Sequence, residues 1–198
     1  METTVREYFN RMAARWDDLV PPKTPCQLKR LVEELAIAPG SRVLDVGTGT
    51  GILLPFLLEA VGPQGKVVAL DIAEEMLARA RAKYGHVVEY VVGDIACAPF
   101  LSADFDVVVC NSCFPHVEDK LRAAQEMARV LKPGGRAVIC HAMSREAVNS
   151  LHASLAGIVR HHLLPDEEEM ARIFTGAGFA RVDIADTPER YLLTAWKP

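Results

Sequence analysis

A glycine-rich segment directly after an apolar run is the strongest chemical signal in this 198-residue sequence. The run Arg42–Val46 has the composition of a buried strand, and Gly47-Thr48-Gly49-Thr50-Gly51 follows it without a break. Glycines leave the backbone open to a ligand, and the helix expected after them presents free amides and a partial positive charge. The segment therefore predicts a nucleotide-like ligand site, with a tight structural turn as the alternative.

The spacing of the glycines separates three kinds of nucleotide site. A Walker loop requires Gly-Lys-Ser or Gly-Lys-Thr at its end, and neither follows here. The dinucleotide fingerprint requires its third glycine one position later, where this sequence has Ile52. The pattern that remains is Gly-x-Gly-x-Gly, with an acid, Asp45, on the preceding strand.

Two further acids stand where later strands are expected to end. Asp71 follows the run Lys66–Leu70, about 20 residues past the glycines, where a carboxylate can accept from both hydroxyls of a ribose. Asp94 follows the run Val87–Val92. A single acid in a loop is usually only solvated, but acids at the carboxyl ends of successive strands are harder to obtain by chance. They favour a ligand that contains a ribose.

The elements that must position these residues alternate between strand and helix. This alternation predicts a doubly wound α/β fold with a mostly parallel sheet, closed by a hairpin that turns at Thr187-Pro188. The predicted strands are Arg42–Val46, Lys66–Leu70, Val87–Val92, Asp106–Cys110, Arg136–Cys140, Phe179–Ala185 and Glu189–Trp196. The predicted helices are Val5–Leu19, Gln27–Leu35, Ile52–Ala60, Glu74–Tyr84, Lys120–Leu131, Arg145–Arg160 and one that starts at Leu164-Pro165-Asp166.

The glycine motif and the two acids together resemble the class I S-adenosylmethionine-dependent methyltransferases. Phe105–Asn111 looks like the fourth strand of that family, and Leu131–Arg136 looks like the turn before its fifth strand. The resemblance implies a seven-stranded, mostly parallel, Rossmann-like sheet with a C-terminal antiparallel hairpin. It also implies S-adenosylmethionine as the methyl donor.

The resemblance assigns a role to each matching position. Asp45, Gly47, Gly49 and Gly51 would admit the methionine portion of the donor. Asp71 would hold the ribose, and Ile72 would pack on the adenine with Met76 nearby. Asp94 would accept from the adenine amine and the Ile95 amide would donate to the ring. Asn111 and Ser112 would border the methyl group.

The N-terminal segment Tyr8–Asp17 is similar to that of the small-molecule subfamily that includes quinone-ring C-methyltransferases. Asn10 replaces the usual acid and Trp16 replaces the usual Tyr. In that subfamily the segment is a lid, which makes Tyr8 and Trp16 lid candidates. An amphipathic helix packed on the core is the alternative, and both can hold at once.

Acceptor-side candidates follow the fourth and fifth strands. His116 could remove a proton near neutral pH, although a supporting or helix-capping histidine is an equal alternative. Cys113 is a candidate pocket wall, and the helix after the fifth strand offers Arg145, Asn149 and His152. The remaining histidines of this half, His141, His161 and His162, are expected to be solvated or core side chains. No metal site is predicted, since Cys110-x-x-Cys113 has no second cysteine pair.

Length and composition predict one domain over 1–198, with a helical lid (1–38), a cofactor-binding core (39–141) and substrate-side helices with closing strands (142–198). A net charge of -4 without a long basic run argues against a nucleic-acid partner. No apolar stretch predicts a membrane span. Five scattered cysteines suit reduced thiols in a cytoplasmic protein.

The sequence therefore predicts an S-adenosylmethionine-dependent enzyme that methylates a small molecule by in-line displacement. The alternatives are a non-catalytic adenosyl-ligand-binding or partner-binding domain on the same fold, and a nicotinamide oxidoreductase, which Ile52 and the closing hairpin disfavour. The acceptor, the atom methylated, the use of a general base and the oligomeric state stay open.

Overall fold

A seven-stranded sheet forms the centre of the computed structural model, which describes residues 4–198. The strands are β1 Arg42–Val46, β2 Lys66–Asp71, β3 Glu89–Val92, β4 Phe105–Asn111, β5 Leu131–His141, β6 Arg181–Thr187 and β7 Arg190–Trp196. Their order across the sheet is β3-β2-β1-β4-β5-β7-β6. The first five strands pair in parallel, and β7 runs antiparallel to both β5 and β6. The predicted fold class and the closing hairpin are confirmed.

The described residues form seven α-helices around this sheet, and all but α1 supply residues to the apolar clusters on its two faces. They are α1 Val5–Met12, α2 Thr24–Leu35, α3 Leu54–Val61, α4 Glu74–Tyr84, α5 Lys120–Val130, α6 Arg145–Ser154 and α7 Glu167–Gly176. Neighbouring residues of β1 point to opposite faces of the sheet. Val43 belongs to the buried apolar cluster that includes residues of α2, α3 and α4, and Leu44 belongs to the cluster that includes residues of α5, α6 and α7. Both faces are therefore buried, as continuous apolar strands require.

Two predicted helices are shorter in the structure than in the sequence pattern. The helix expected over Val5–Leu19 is α-helical only to Met12 and then tightens into a 3-10 segment, Ala13–Leu19. The helix expected over Arg145–Arg160 ends at Ser154, because Leu155 is extended, and Gly157, with φ +83°, then redirects the chain. A separate 3-10 segment, Ile158–His161, follows it.

The strand order reverses between β1 and β4, which creates a crevice at the carboxyl edge of the sheet. The loop after β1 turns toward one face and the loop after β4 turns toward the other, so the two loops separate above the sheet. Ligands of open α/β sheets bind at such a point. Among the described helices none is both long and apolar enough to cross a bilayer.

Candidate active site

The three glycines after β1 all have positive φ, but the space around them differs. A Cβ atom on Gly47 would lie 2.2 Å from the Cys113 sulfur, and one on Gly51 would lie 2.8 Å from both Leu54 and Tyr84. These two glycines are therefore required by packing. A Cβ atom on Gly49 would meet only the Trp16 indole nitrogen, at 3.7 Å. Gly49 is thus the glycine that leaves an open cradle, and Trp16 lies over it.

Two buried carboxylates hold this loop from below. Asp71 accepts from the backbone N–H groups of Gly49 and Ala73, both at 2.8 Å, and Asp45 accepts from the Thr48 hydroxyl at 2.6 Å. Burial raises the pKa of Asp71 to about 6, against backbone hydrogen bonds that lower it. Burial likewise raises the pKa of Asp45 to about 7, opposed by Thr48. An ionised carboxylate accepts about four hydrogen bonds. The backbone N–H groups of Gly49, Ile72 and Ala73 already use part of that capacity, so Asp71 retains capacity for a ribose hydroxyl.

The other predicted donor residues surround the ends of β2 and β3. Asp94 is exposed and uses one carboxylate oxygen to accept from the Ala96 amide at 2.8 Å. Ile95 points into the core, so its backbone rather than its side chain faces the crevice edge. Ile72 is half-buried, and Met76 is buried against Ala73 beneath the N-terminal segment. The structure therefore brings the implied adenosine contacts to one side of the crevice.

The N-terminal segment, residues 5–19, is docked over the glycine loop, and we call it the lid. Polar side chains attach it to α4 and the loop: Arg6 pairs with Glu74 at 2.9 Å, Asn10 accepts from the Glu75 amide at 3.0 Å, and Asp17 binds two partners. One Asp17 oxygen accepts from the Thr50 hydroxyl at 2.6 Å and the other pairs with Lys83 at 2.7 Å.

Aromatic side chains complete the lid. Phe9, Met12 and Trp16 pack on the buried Ala73 and Met76. Tyr8 is buried and packs edge-on against Phe9, with ring centroids 5.2 Å apart. The segment therefore packs on buried residues beside the glycine loop, and its action as a lid stays a prediction.

The end of β4 lies between the glycine loop and the acceptor side. Ser112 has φ +54°, and its amide donates to the Cys140 carbonyl at 2.9 Å. Asn111 accepts weakly from the Cys140 thiol at 3.7 Å, and Cys113 contacts Gly47. A strained non-glycine residue at a strand end is held there by its surroundings, as active-site residues often are.

Four histidines from separate elements converge beyond β4. We call His116, His141, His152 and His162 the histidine pocket. The Nδ1 atoms of His116 and His162 are 3.1 Å apart, and the His116 ring centroid lies 4.8 Å from that of His152 and 5.0 Å from that of Phe9. The Nδ1 atom of His152 bonds the His162 carbonyl oxygen. Since a carbonyl only accepts, neutral His152 carries its proton on Nδ1 and its lone pair on Nε2.

The surroundings of His116, His141 and His162 favour the neutral imidazole. Burial, together with the neighbouring His152, His162, His141 and Lys120, shifts the pKa of His116 well below its ordinary value. Burial lowers the pKa of His141 to about 3, and burial with Lys120 also lowers that of His162. Neutral imidazoles are available to accept protons at neutral pH.

Three predicted acceptor-side residues on α6 have different fates. His152 joins the pocket, but the amide of Asn149 is fully used: it donates to the Leu164 carbonyl at 3.0 Å and accepts from the Leu164 amide at 2.8 Å. Asn149 therefore fixes the segment that carries His162. The Arg145 amide donates to Asp186 at 3.0 Å, outside the ring contacts of the pocket.

Sequence reasoning did not predict that His162 pairs with His116. His141 is a core side chain and His161 is exposed, as expected, but His162 turns inward. Phe9 and Asp17 lay in the predicted lid segment without assigned partners, and Lys83 was not predicted, because nothing local in the sequence marks their contacts. The five cysteines are free thiols. Residues 4–198 contain no group of three or more His, Cys, Asp or Glu side chains arranged to hold a metal ion.

Comparison with known proteins agrees with this geometry. Residues 43–135 match a family described as a methyltransferase domain. The chain is 37% identical over 177 residues to the ubiquinone/menaquinone biosynthesis C-methyltransferase UbiE of Vibrio campbellii, covering 85% of this chain and 68% of that protein. It is 32% identical over 181 residues to the demethylmenaquinone methyltransferase of Staphylococcus aureus, covering 79% and 75% respectively.

A solved structure supports the same assignment over nearly the whole chain. The S-adenosylmethionine-dependent methyltransferase of Aquifex aeolicus superposes with a TM-score of 0.72 at 26% identity, covering 93% of this chain and 96% of that one. This chain therefore belongs to the S-adenosylmethionine-dependent methyltransferases, in the group that includes the quinone-biosynthesis C-methyltransferases, and it methylates a small molecule.

Proposed function

We propose that the acceptor binds between the end of β4 and the histidine pocket, in line with a donor bound over Gly49. One observation carries this proposal: a single lid covers both places. Trp16 lies over Gly49, Phe9 packs against His116, and the Phe9 and Trp16 rings contact each other with centroids 5.4 Å apart. The lid thereby excludes water from both reactants at once, and methyl transfer requires that exclusion.

The donor-side residues fit S-adenosylmethionine. Gly49 offers the open cradle for the methionine portion, Asp71 retains acceptor capacity for the ribose, and Asp94 has a free oxygen for the adenine amine. When bound, the donor supplies a methyl group already activated by a positive sulfur. The residues of this chain consequently need to align the reactants rather than to activate the methyl group.

His116 is the proposed base for acceptors that must lose a proton. For its Nε2 atom to accept that proton, its Nδ1 atom must carry hydrogen and donate to Nδ1 of His162. The pair would then orient His116 in the way that a carboxylate orients a catalytic histidine. Asn111, Ser112 and Cys113 would form the wall between the base and the donor.

The relatives suggest which acceptors to test first. Those proteins are named for C-methylation in quinone biosynthesis, so hydroxylated aromatic rings are the first class to screen, followed by thiols and amines. The free thiols favour action in a reducing compartment such as the cytoplasm.

Calorimetric titration with S-adenosylmethionine, S-adenosylhomocysteine and NAD tests the donor assignment. We expect micromolar affinity for both adenosyl ligands and none for NAD. Absence of adenosyl binding would overturn the residue roles assigned to Asp71 and Asp94. With an acceptor identified, His116→Gln should lower kcat and remove the acidic limb of its pH profile, whereas an unchanged profile would remove His116 from the role of base.

A further inference from the structure

The histidine pocket concentrates basic groups and has no acid among the strongest charged neighbours of its central ring. The side chains with the strongest electrostatic effect on the pKa of His116 are all bases: His152, His162, His141 and Lys120. The Lys120 ammonium donates to the Val117 carbonyl at 2.9 Å and is partly buried in the pocket wall. A negatively charged ligand would complement this cluster, because it would pair with the Lys120 ammonium and with a proton taken up by the imidazoles.

Two buried polar atoms at the floor of the pocket support the same conclusion. Nε2 of His141 and the hydroxyl of Tyr191 are both buried, and neither has a hydrogen-bond partner among residues 4–198. The two residues are register partners on β5 and β7, with ring centroids 6.2 Å apart. Buried polar groups are normally satisfied, so orphaned groups beside a crevice indicate a ligand that supplies the partner.

We propose that the histidine pocket holds the methyl acceptor as a small anion, the conjugate base of a carboxylic acid, phenol or thiol. The negative charge is balanced by one proton on the imidazoles and by the ammonium of Lys120. The Tyr191 hydroxyl is a donor for the same anion. This inference rests on the proposed function, because it places the anion where that function places the acceptor.

The transfer step balances in atoms and charge. A lone pair of the anion forms a bond to the methyl carbon while the carbon–sulfur bond breaks, and the electron pair of that bond stays on sulfur. The product is a neutral ester, ether or thioether. Where a ring carbon of a phenolate attacks instead, the electron pair comes from the ring, the first product is a neutral dienone, and transfer of its ring proton to the oxygen gives the ring-methylated phenol. The counter-proton on the imidazoles then has no anion to stabilise it and passes to solvent. Loss of this charge pair weakens the hold of the pocket on the product and favours its release.

Charged groups at the rim do not cancel the basic character of the pocket. Glu118 raises the pKa of His162 and Glu169 raises the pKa of Lys120 through electrostatic interaction, and both acids are exposed. Glu167 and Asp186 raise the pKa of Tyr191, which Arg145 lowers, and these two acids are exposed as well. Exposed charges are screened by water and salt, whereas the buried imidazoles are not. The anion is therefore drawn to the interior of the pocket rather than to its rim.

A coloured phenol tests the proposal without an acceptor being known. The protein is first saturated with S-adenosylhomocysteine, whose own affinity shows whether the donor site is correct. It is then titrated with 4-nitrophenol, and with nitrobenzene as the neutral isostere, near the pKa of the phenol. We expect the phenolate absorbance to rise on binding, calorimetry in buffers of different ionisation enthalpy to show proton uptake, and nitrobenzene to bind at least 10-fold more weakly.

Variants locate the effect. Lys120→Gln and His152→Gln should each weaken 4-nitrophenol binding by at least 10-fold while S-adenosylhomocysteine affinity, which reports folding, is retained. His86→Gln, an exposed histidine after α4, should change neither. The proposal is overturned if nitrobenzene binds as tightly as 4-nitrophenol, if the bound phenol is protonated, or if 4-nitrophenol, benzoate and acetate all fail to bind the S-adenosylhomocysteine complex. Tight binding of Zn²⁺ alone to these histidines, without anion binding, would also overturn it.

Discussion

On the donor side of the crevice, Asp45 and Asp71 lie buried beneath a glycine loop; on the acceptor side, buried imidazoles lie beneath the other half of the same lid. Burial acts on the two groups in opposite directions, raising the pKa of the acids and lowering the pKa of the histidines. In both cases burial shifts the equilibrium toward the neutral form. The proposed ligands differ in charge, a cationic sulfonium on one side and an anion on the other.

The largest effect is expected on the donor side, from Asp71→Ala. The change would remove the proposed ribose acceptor and leave the amides of Gly49 and Ala73 without this partner. Hydrogen bonds to a charged group contribute about 1.5–3 kcal/mol each, so donor affinity should fall by roughly 100-fold or more, with a lower Tm. Calorimetry with S-adenosylhomocysteine measures the loss. Asp183→Ala, an exposed acid on β6, is the control and should bind normally.

Substitutions at two glycines of the loop distinguish a role in packing from a role in ligand binding. Gly47→Ala places a methyl group against Cys113 in a positive-φ position, which should lower the free energy of unfolding by roughly 3 kcal/mol. Gly49→Ala carries only the backbone strain, about 1–2 kcal/mol, but it fills the cradle and should weaken donor binding at least 10-fold. Urea unfolding and calorimetry on both variants distinguish the two roles. Equal stability losses with unchanged donor binding would contradict the distinction.

The two halves should respond oppositely to pH when no ligand is bound. The pKa of Asp45 is raised from 3.8 to about 7, so the folded state holds a proton that the unfolded chain has released, and stability falls as pH rises from about 4 to 7. The pKa of His141 is lowered from 6.5 to about 3, so its contribution is present above 6.5 and is lost as pH falls toward 3.

Melting temperatures measured from pH 4.5 to 8 check this contrast. Asp45→Asn should remove part of the loss of stability that occurs as pH rises from about 4 to 7. His141→Gln should remove part of the loss that occurs as pH falls below 6.5. Each change should amount to several °C, since 1 kcal/mol shifts the Tm of a chain of this size by roughly 2–4 °C. His86→Gln again provides the exposed control. Parallel profiles for Asp45→Asn and His141→Gln would show that the two halves do not differ in this way.

The smallest effect is expected where the lid attaches to α4. Lys83→Met removes the ammonium that pairs with Asp17 and donates to the Thr50 carbonyl. The pair is partly exposed, and such pairs contribute up to about 1 kcal/mol, so KM for the donor should rise only a few-fold with little change in kcat. Steady-state kinetics in low and high salt measure the effect. Lys66→Met, on the exposed start of β2, serves as the control.

Local sequence was enough to predict most of the donor side and the order of elements. Apolar runs bounded by Gly, Pro and Asp predicted the strands, and the acids at Asp71 and Asp94 needed only the fact that parallel strands end at one edge of a sheet. The ends of helices were less predictable. The positive φ of Gly157 and the change from α-helix to 3-10 helix after Met12 both depend on what each segment packs against.

The acceptor side was decided by the tertiary structure. His116, His141, His152 and His162 come from four separate elements, and no local pattern states that their rings meet. Asn149 illustrates the reason: its amide looked available for a substrate, yet it fixes the backbone at Leu164 and so turns His162 inward. A motif such as the glycine loop, whose function depends on local backbone conformation, can be found in the sequence because its residues are neighbours in the chain. Contacts between distant side chains, and the burial that shifts their pKa values, exist only once the chain has folded.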